Sequence, residues 1–350
     1  MRKQLNVVFL FVMLFRGHNA GITEELARFA KGPIQDAIES GMASEFNKDE
    51  CLWRRNDNRD PCPDPDIHIY LYTPGKPKKE LIGKPSDWLM IDYDHNKDNI
   101  ILIHGYAGGD DTLPVSVLRD AYMNNGSYNV FLIDWSALSA APCYPAAVAN
   151  LKPVAKCLAH SLTILQHLGM TISKTTCVGH SLGAHLCGII ANYLLFRMHK
   201  IIGLDPARPL VRPALGNRLD SGDANFVEVI HTNAGYYGEI GQIGHVDICV
   251  NGGKVQPFCE NKPNYQLCSH VWSVCYMAQS IDGQQTLVAE PCSRRCPSGP
   301  RINTRTGQDL IVGQHTPSGS RGSFCLTSHK PPYCPQNSEN GKGDPRCCIQ

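Results

Sequence analysis

The sequence has few charges and almost no charge imbalance. Only 19% of its 350 residues are charged, and 33 basic residues stand against 32 acidic ones, which gives a formal net charge of +1. A nucleic-acid-binding protein needs a basic surface that this composition does not supply. A disordered chain is excluded as well, because 42% of the residues are hydrophobic. The composition indicates a folded protein with no nucleic acid among its partners.

Long apolar runs are missing beyond the N-terminus, which predicts that the chain has no transmembrane segment. The N-terminus has two basic residues, an apolar run over 5–15, and then small and polar residues up to Ala20. A membrane anchor is the weaker interpretation, since a bilayer span takes ~20 apolar residues. The pattern is typical of a secretory signal peptide. We expect residues 1–20 to be removed and residues 21–350 to form one secreted, extracellular domain.

Zinc-type cysteine spacing is also missing. The sixteen cysteines all lie beyond the signal peptide, and pairs such as Cys292 and Cys296, or Cys347 and Cys348, do not match the C-x2-C pairs of zinc sites. An even number of cysteines in an exported chain predicts disulfide bonds, whose pairing the sequence alone leaves open. We therefore expect a disulfide-bonded protein without a metal ion or other cofactor.

A single N-x-[ST] sequon occurs, at Asn125, Gly126 and Ser127. It lies in a polar stretch, MNNGSYN, that suits a surface loop. We predict a glycan on Asn125.

Strand patterns alternate with helix patterns along the middle of the chain. Predicted strands cover 67–72, 100–103, 128–133, 175–178, 200–204 and 226–230, and predicted helices cover 146–168, 184–197 and 270–280. Such alternation favours an α/β fold with a mostly parallel central sheet, whose ligands bind at the carboxyl ends of the strands. Pro153 should start or kink the first of these helices. The last 70 residues are rich in Gly, Pro, Ser and Cys and predict loops and edge strands rather than a second domain.

A nucleophile-elbow motif lies between a predicted strand and a predicted helix. It reads Gly179, His180, Ser181, Leu182 and Gly183, the G-x-S-x-G pattern. Its glycines allow strand and helix to approach each other, and the turn exposes the serine hydroxyl at the tip of the strand. The alternative is a tight turn with an ordinary serine, but the apolar strand and helix on either side favour a nucleophile.

A serine nucleophile needs a base, and the base needs a carboxylate that orients it. Asp205 directly follows the next predicted strand, whereas Asp134 also ends a strand but precedes the serine. His270 follows Asp205 and completes the order Ser, Asp, His that is typical of α/β-hydrolases. We predict that Ser181, Asp205 and His270 form a catalytic triad and that Asp134 makes a structural hydrogen bond.

An acyl-transfer site also needs two backbone donors for the oxyanion. The amide of Leu182, directly after the serine, is the first candidate. The glycine-rich turn after the 100–103 strand supplies the second, which we assign to Tyr106. The glycines at 105, 108 and 109 would let the backbone approach a substrate closely.

These motifs resemble the pancreatic-type lipase family of animals. The matching segments run in the family's order from Ile100 to Ser280: IILIHGYAGG, FLIDWSALS, CVGHSLGAHLCG, IIGLDPARP, FVEVIHTNAG, GHVDICVNGGKVQPFC and CSHVWSVCYMAQSI. The resemblance implies an α/β-hydrolase catalytic domain with the same triad and the same oxyanion donors. The larger lipases of this family add a C-terminal β-sandwich, but this chain lacks the length for one, and we expect a disulfide-rich C-terminal segment instead.

The resemblance further implies a lid closed by a disulfide between Cys259 and Cys268. Only eight residues lie between these cysteines, too few for the long lid typical of triacylglycerol lipases. A short lid is similar to the phospholipase A1 branch of the family, including insect and venom forms. The implied reaction is hydrolysis of a phospholipid, at the sn-1 ester, on a membrane or micelle surface. A triacylglycerol or galactolipid lipase is the alternative, and a non-catalytic lipid-binding protein is a third.

Four further expectations concern a calcium site, two disulfide bonds and the surfaces that contact lipid. Some members bind calcium after the catalytic aspartate, where this chain has Asp220 and Asp223, but a preceding acidic residue of the pattern is missing, and we expect a loop without metal. Cys292 is expected to pair with Cys296. Cys249 is expected to pair with Cys275 or with the C-terminal tail. Tyr236, Tyr237 and the short lid are the candidate lipid-contacting surfaces.

Overall fold

The structure is a computed structural model. It describes residues 48–55, 61–73, 75–81, 93–211, 216–282, 286–292, 295–297 and 307–328. The predicted signal peptide and the cysteines at 347 and 348 lie outside the described residues.

Eleven strands and four helices make up the regular structure of the described residues. The strands are β1 (His68–Thr73), β2 (Lys76–Leu81), β3 (Asp98–Ile103), β4 (Tyr128–Asp134), β5 (Thr175–His180), β6 (Met198–Leu204), β7 (Ala224–His231), β8 (Val246–Val250), β9 (Val288–Pro291), β10 (Leu310–Ile311) and β11 (Gly322–Leu326). The helices are α1 (Val115–Asn125), α2 (Tyr144–His167), α3 (Leu182–Ala191) and α4 (Tyr265–Asp282). No helix among these residues combines the length and the apolarity that a bilayer span requires.

All eleven strands belong to one sheet in the order β10-β9-β11-β8-β7-β6-β5-β3-β4-β1-β2. Seven neighbouring strands run parallel, namely β4, β3, β5, β6, β7, β8 and β11. Antiparallel strands lie at both edges. This arrangement confirms the predicted α/β-hydrolase fold with a mostly parallel sheet. The carboxyl ends of β5, β6 and β7 meet at one edge. Ser181 directly follows β5 and Asp205 directly follows β6, whereas His270 lies in α4.

Helices cover both faces of the sheet. Since successive side chains of a strand point to opposite faces, one buried strand contributes to both layers. In β3, Ile100 and Leu102 pack into the cluster that contains α1 and α4. Ile101 and Ile103 pack into the cluster that contains α2 and α3. The continuous apolar runs of the sequence therefore correspond to strands that are buried on both sides.

Several predicted boundaries were wrong. Helix α2 covers Tyr144–His167, close to the predicted 146–168, and it continues through Pro153, which therefore does not mark its start. Helix α3 ends at Ala191, where Asn192 caps it by donating its Nδ2 to Gly188 O at 3.3 Å. Helix α4 begins at Tyr265, so its histidine lies in the second turn rather than at the start.

A buried ion pair joins the sheet to the C-terminal segment. Lys200 Nζ of β6 lies 3.5 Å from Glu228 Oε2 of β7 and donates to Gly313 O and Gln314 O at 3.0 and 3.1 Å. Glu228 Oε1 in turn accepts the Gly313 N–H at 2.8 Å. Burial lowers the pKa of Lys200 and raises that of Glu228, so each charge depends on its partner for stabilisation.

Removing one member of this pair should destabilise the fold more than removing both. We expect Lys200→Met to lower the free energy of unfolding by about 3–5 kcal/mol, because it leaves Glu228 buried without its partner. The double variant Lys200→Met/Glu228→Leu should lose less, since it leaves no buried charge. Urea titrations followed by tryptophan fluorescence measure both values. A double variant that loses as much as Lys200→Met, or more, would contradict this account.

Candidate active site

The turn between β5 and α3 holds Ser181 in a backbone conformation that few residues other than glycine adopt. Its φ is 58° and its ψ is −121°. Such a conformation costs on the order of 1–3 kcal/mol and persists only where surrounding contacts hold it. Here Ser181 N donates to Leu204 O at 3.0 Å, and Ser181 O accepts the N–H groups of Ala184 and Ala207, each at 3.2 Å. The geometry is that of a nucleophile elbow.

The glycines of this turn have a steric function. A Cβ atom at Gly179 would overlap the backbone of Gly183. One at Gly183 would overlap the carbonyl of Ile103 at the end of β3. One at Gly105 would lie 2.7 Å from Ser181 Cβ. The serine is therefore surrounded by backbone that approaches more closely than side chains would allow.

Asp205 and His270 form a short, buried hydrogen bond. His270 Nδ1 lies 2.5 Å from Asp205 Oδ2. The other carboxylate oxygen, Oδ1, accepts the backbone N–H groups of Thr232 and Asn233 at 2.9 and 3.0 Å. Both members of the pair are buried, Asp205 completely. The carboxylate thus fixes the orientation of the imidazole and leaves its Nε2 for chemistry.

His180, the residue before the serine, contacts the base directly. Its ring lies 4.6 Å from the His270 ring, and its Nε2 donates to His270 O at 3.3 Å. Burial, followed by the charge on His270, holds the pKa of His180 well below its usual range. His180 is therefore neutral and does not repel an imidazolium on His270. Among the described residues, no hydrogen bond joins Ser181 Oγ to His270, as is common before a substrate tightens a site.

The oxyanion donors stay a prediction, assigned to the backbone N–H groups of Leu182 and Tyr106. Leu182 is the first residue of α3, whose initial N–H groups have no partner within the helix. The N–H of Tyr106 has no acceptor among the described residues. The next residue, Ala107, has a φ of 54° and donates to Ser139 O at 2.8 Å, which fixes the turn.

Asp134 belongs to a different network. Its Oδ1 accepts the Ser136 N–H at 2.9 Å and lies 3.3 Å from His104 Nε2. Burial would raise the pKa of Asp134, but the contacts with His104 and Ser136 lower it below its usual range. The structure brings Asp205, not Asp134, to His270.

A second buried acid–histidine pair lies behind Asp205, and sequence reasoning missed it. His231 Nε2 lies 2.9 Å from Asp247 Oδ1, and Asp247 also accepts the N–H groups of Ile243 and Gly244. Burial alone would lower the pKa of His231, but Asp247 raises it. The signal was present in the segments FVEVIHTNAG and GHVDICVNGG, whose histidine and aspartate lie on the neighbouring strands β7 and β8, two positions apart in register.

The structure joins Cys259 to Cys268, the two residues expected to close the lid. The expected pair of Cys292 with Cys296 is wrong, because Cys292 bonds Cys325. The expected pair of Cys249 with Cys275 is also wrong, because Cys249 bonds Cys296. The described residues contain three other bonds: Cys51–Cys143, Cys62–Cys157 and Cys177–Cys187.

Aromatic residues lie at the rim near the lid. Phe258 and Tyr265, next to the lid cysteines, are 40% and 38% exposed. Tyr236 packs under Lys254 Nζ, which lies 5.2 Å from its ring, and Tyr237 lies 5.6 Å from the His270 ring. Of the two tyrosines singled out in the sequence, Tyr237 therefore borders the base directly.

The two remaining candidate sites lie away from the triad. In the loop that follows β6, Asp220 N donates to Asp223 Oδ2 at 2.8 Å and Asp220 Oδ1 accepts the Gly222 N–H at 2.7 Å, so the loop is closed by its own hydrogen bonds. Asn125 is exposed at the end of α1, and its Nδ2 donates to Ile281 O at 3.2 Å. Its glycosylation stays a prediction.

Comparisons with known proteins match the chain to lipases and phospholipases. A profile of the family described as Lipase matches residues 35–296. Phospholipase A1 member A of Mus musculus is 32% identical over 234 residues, which cover 65% of this chain and 51% of that protein. Lipase member H-B of Xenopus laevis is 30% identical over the same shares of the two chains. The chain spans about half the length of the curated relatives it matches.

Among solved structures, a hydrolase of the alpha/beta superfamily from Xanthomonas campestris pv. campestris is 18% identical. The match covers 41% of this chain and 76% of that chain, with a TM-score of 0.31.

The contact between Gly105 and the serine can be tested with two glycine variants. Gly105→Ala should slow labelling of Ser181 by a fluorophosphonate about 10²-fold, because the new Cβ displaces the serine. Gly109→Ala is the matched control, since its Cβ would meet Thr112 Oγ1 at an ordinary 3.5 Å. Labelling rates are measured by quench and intact-mass spectrometry. Equal rates for the two variants would contradict the steric argument.

Proposed function

The chain belongs to the lipase family, and we propose that it is a secreted serine carboxylester hydrolase with Ser181 as its nucleophile. The observation that carries this proposal is the buried Asp205–His270 hydrogen bond of 2.5 Å, beside the turn that bears the serine. A carboxylate and an imidazole in this relation are what an acyl-transfer serine requires. The disulfide bonds support secretion, because such bonds persist in oxidising, extracellular surroundings.

In the proposed reaction, Ser181 Oγ attacks the carbonyl carbon of an acyl ester while His270 Nε2 takes its proton. Asp205 keeps the proton on Nδ1 and stabilises the imidazolium that forms. The N–H groups of Tyr106 and Leu182 donate to the oxyanion. When the tetrahedral intermediate collapses, the alcohol product leaves with the proton from His270. Water then attacks the acyl-enzyme by the same route, which releases the fatty acid and restores the serine.

We propose a phospholipid as substrate, cleaved at its sn-1 ester on a membrane or micelle surface. The short lid closed by the Cys259–Cys268 bond supports this proposal, because its eight intervening residues are too few to cover the site as a long lid would, and a less covered site can admit a bulky, charged head group. The names of similar proteins, phospholipase A1 member A above all, point the same way. Exposed aromatic side chains on this rim, Phe258 and Tyr265, are suited to a lipid surface.

Product analysis tests the substrate. Phosphatidylcholine with different acyl chains at sn-1 and sn-2 is offered beside triolein, and mass spectrometry identifies the released fatty acids. We expect release of the sn-1 chain with little cleavage of triolein. Ser181→Ala is the control and should lose roughly 10⁴-fold or more of the activity. Faster cleavage of triolein would indicate a neutral-lipid lipase. A wild-type chain that cleaves no ester and takes up no fluorophosphonate would indicate a lipid-binding protein.

The assignment of the acid is tested by two matched carboxamide variants. Asp205→Asn should lower kcat about 10⁴-fold, because the amide no longer stabilises the imidazolium or its productive tautomer. Asp134→Asn should leave kcat within about tenfold of the wild type, because Asp134 bonds His104 and Ser136 rather than the base. Steady-state kinetics with a soluble p-nitrophenyl ester measure both. The reverse ranking would identify Asp134 as the acid.

A further inference from the structure

A buried disulfide brackets the nucleophile elbow. Cys177 lies in β5 and Cys187 in α3, and their Cα atoms are 5.9 Å apart. The two positions are separated by 10 residues, so the closed loop contains the whole turn around Ser181. The elbow motif itself requires glycines and a serine, not cysteines. The bond is therefore a feature of this chain that the reaction alone does not explain.

The bond fixes α3 to β5, an inner strand of the sheet that is paired on both sides. Cys177 pairs in register with Ile101 of β3 on one side and with Ile201 of β6 on the other. Both sulfurs are fully buried, in the same apolar cluster as the inner face of α3. The strand end of the bond therefore has little freedom, and the bond limits movement of α3 away from β5.

The contribution of this bond to global stability should be smaller than that of the bonds that close long loops in this chain. The stabilisation expected from loop closure grows with the logarithm of the loop length. The Cys62–Cys157 bond spans 95 residues, whereas the Cys177–Cys187 bond spans 10. The shorter bond constrains little of the unfolded chain, but the segment that it constrains is the turn around Ser181.

We infer that the Cys177–Cys187 disulfide is a positioning element for the nucleophile. This inference rests on the proposed function, because it concerns the reaction of Ser181. By holding α3 against β5, the bond keeps the Ser181 hydroxyl and the Leu182 N–H in the relative positions that attack and oxyanion binding require together. A looser turn would reduce the stabilisation of the transition state, in which both groups act, more than it would reduce the affinity for substrate.

The test compares two ways of removing the bond in the full chain, secreted from a eukaryotic host. Cys177→Val/Cys187→Ala keeps the buried volume nearly constant, and Cys177→Ala/Cys187→Ala does not. Kinetics with p-nitrophenyl butyrate, a soluble ester, are measured at a temperature where circular dichroism shows each variant to be folded. For both variants we expect kcat to fall about tenfold or more while KM stays within about twofold.

The control is Cys62→Ala/Cys157→Ala, which removes a bond between α2 and the segment before β1. We expect this variant to lose more thermal stability than the elbow variants and to keep the wild-type kcat. A wild-type kcat in Cys177→Val/Cys187→Ala would overturn the inference, because packing alone would then position the serine. An elbow variant that does not fold while the control folds would also overturn it, because the bond would then be needed for the whole fold.

The Ser181→Ala variant with its disulfides intact separates this inference from the proposed function. If Ser181→Ala retains ester hydrolysis, the proposed function itself is wrong. If Ser181→Ala is inactive while both elbow variants keep the wild-type kcat, only the positioning role is wrong.

Discussion

The whole reactive centre depends on the close approach of three backbone segments: the end of β3, the end of β5 and the start of α3. Ser181 lies where they meet, in a conformation that its neighbours must hold. Two of the hydrogen bonds that hold it come from Leu204, directly before Asp205, and Ala207, two residues after Asp205. The strain at the serine is thus offset by the same segment that presents the acid. The positions of nucleophile and acid are coupled through backbone alone.

The coupling continues into the next strand. Asp205 N donates to Ile230 O at 2.8 Å, and its carboxylate accepts from Thr232 and Asn233 just beyond β7. A buried carboxylate is costly unless its oxygens are satisfied, and here two amides and the imidazole of His270 satisfy them. The segment after each of the strands β5, β6 and β7 therefore contributes to the site, and backbone hydrogen bonds hold each contribution in place.

Much of this site could be predicted because its requirements are local or follow from strand order. The glycines around Ser181 are readable in the sequence, since only glycine fits where two backbones touch. Asp205 could be preferred because it follows the nucleophile, and the sheet order explains why it succeeds: β6 lies beside β5, whereas Asp134 ends β4, which β3 separates from β5.

What could not be predicted depends on contacts between distant parts of the chain. Cys292 bonds Cys325 because β9 and β11 are antiparallel neighbours, with Cys325 opposite Glu290. The sequence of the last 70 residues gives too weak a strand pattern to reveal that register. The His231–Asp247 pair was missed for the same reason, since its members are separated by a loop and meet only across β7 and β8.

The short lid is best understood as part of this framework rather than as a gate. Cys268 lies in the first turn of α4, two residues before His270, so the lid disulfide and the base share one helix. At the other end, two hydrogen bonds hold the buried Gln256 in place. Its backbone N–H donates to Ser269 Oγ at 3.0 Å, and its Nε2 donates to Thr232 O at 2.9 Å. The backbone N–H of Thr232 in turn donates to the Asp205 carboxylate. A segment anchored at one end to the helix of the base and at the other to the donors of the acid cannot swing widely without disturbing both. A long lid gains specificity by opening and closing, whereas this rim would gain it from its fixed shape.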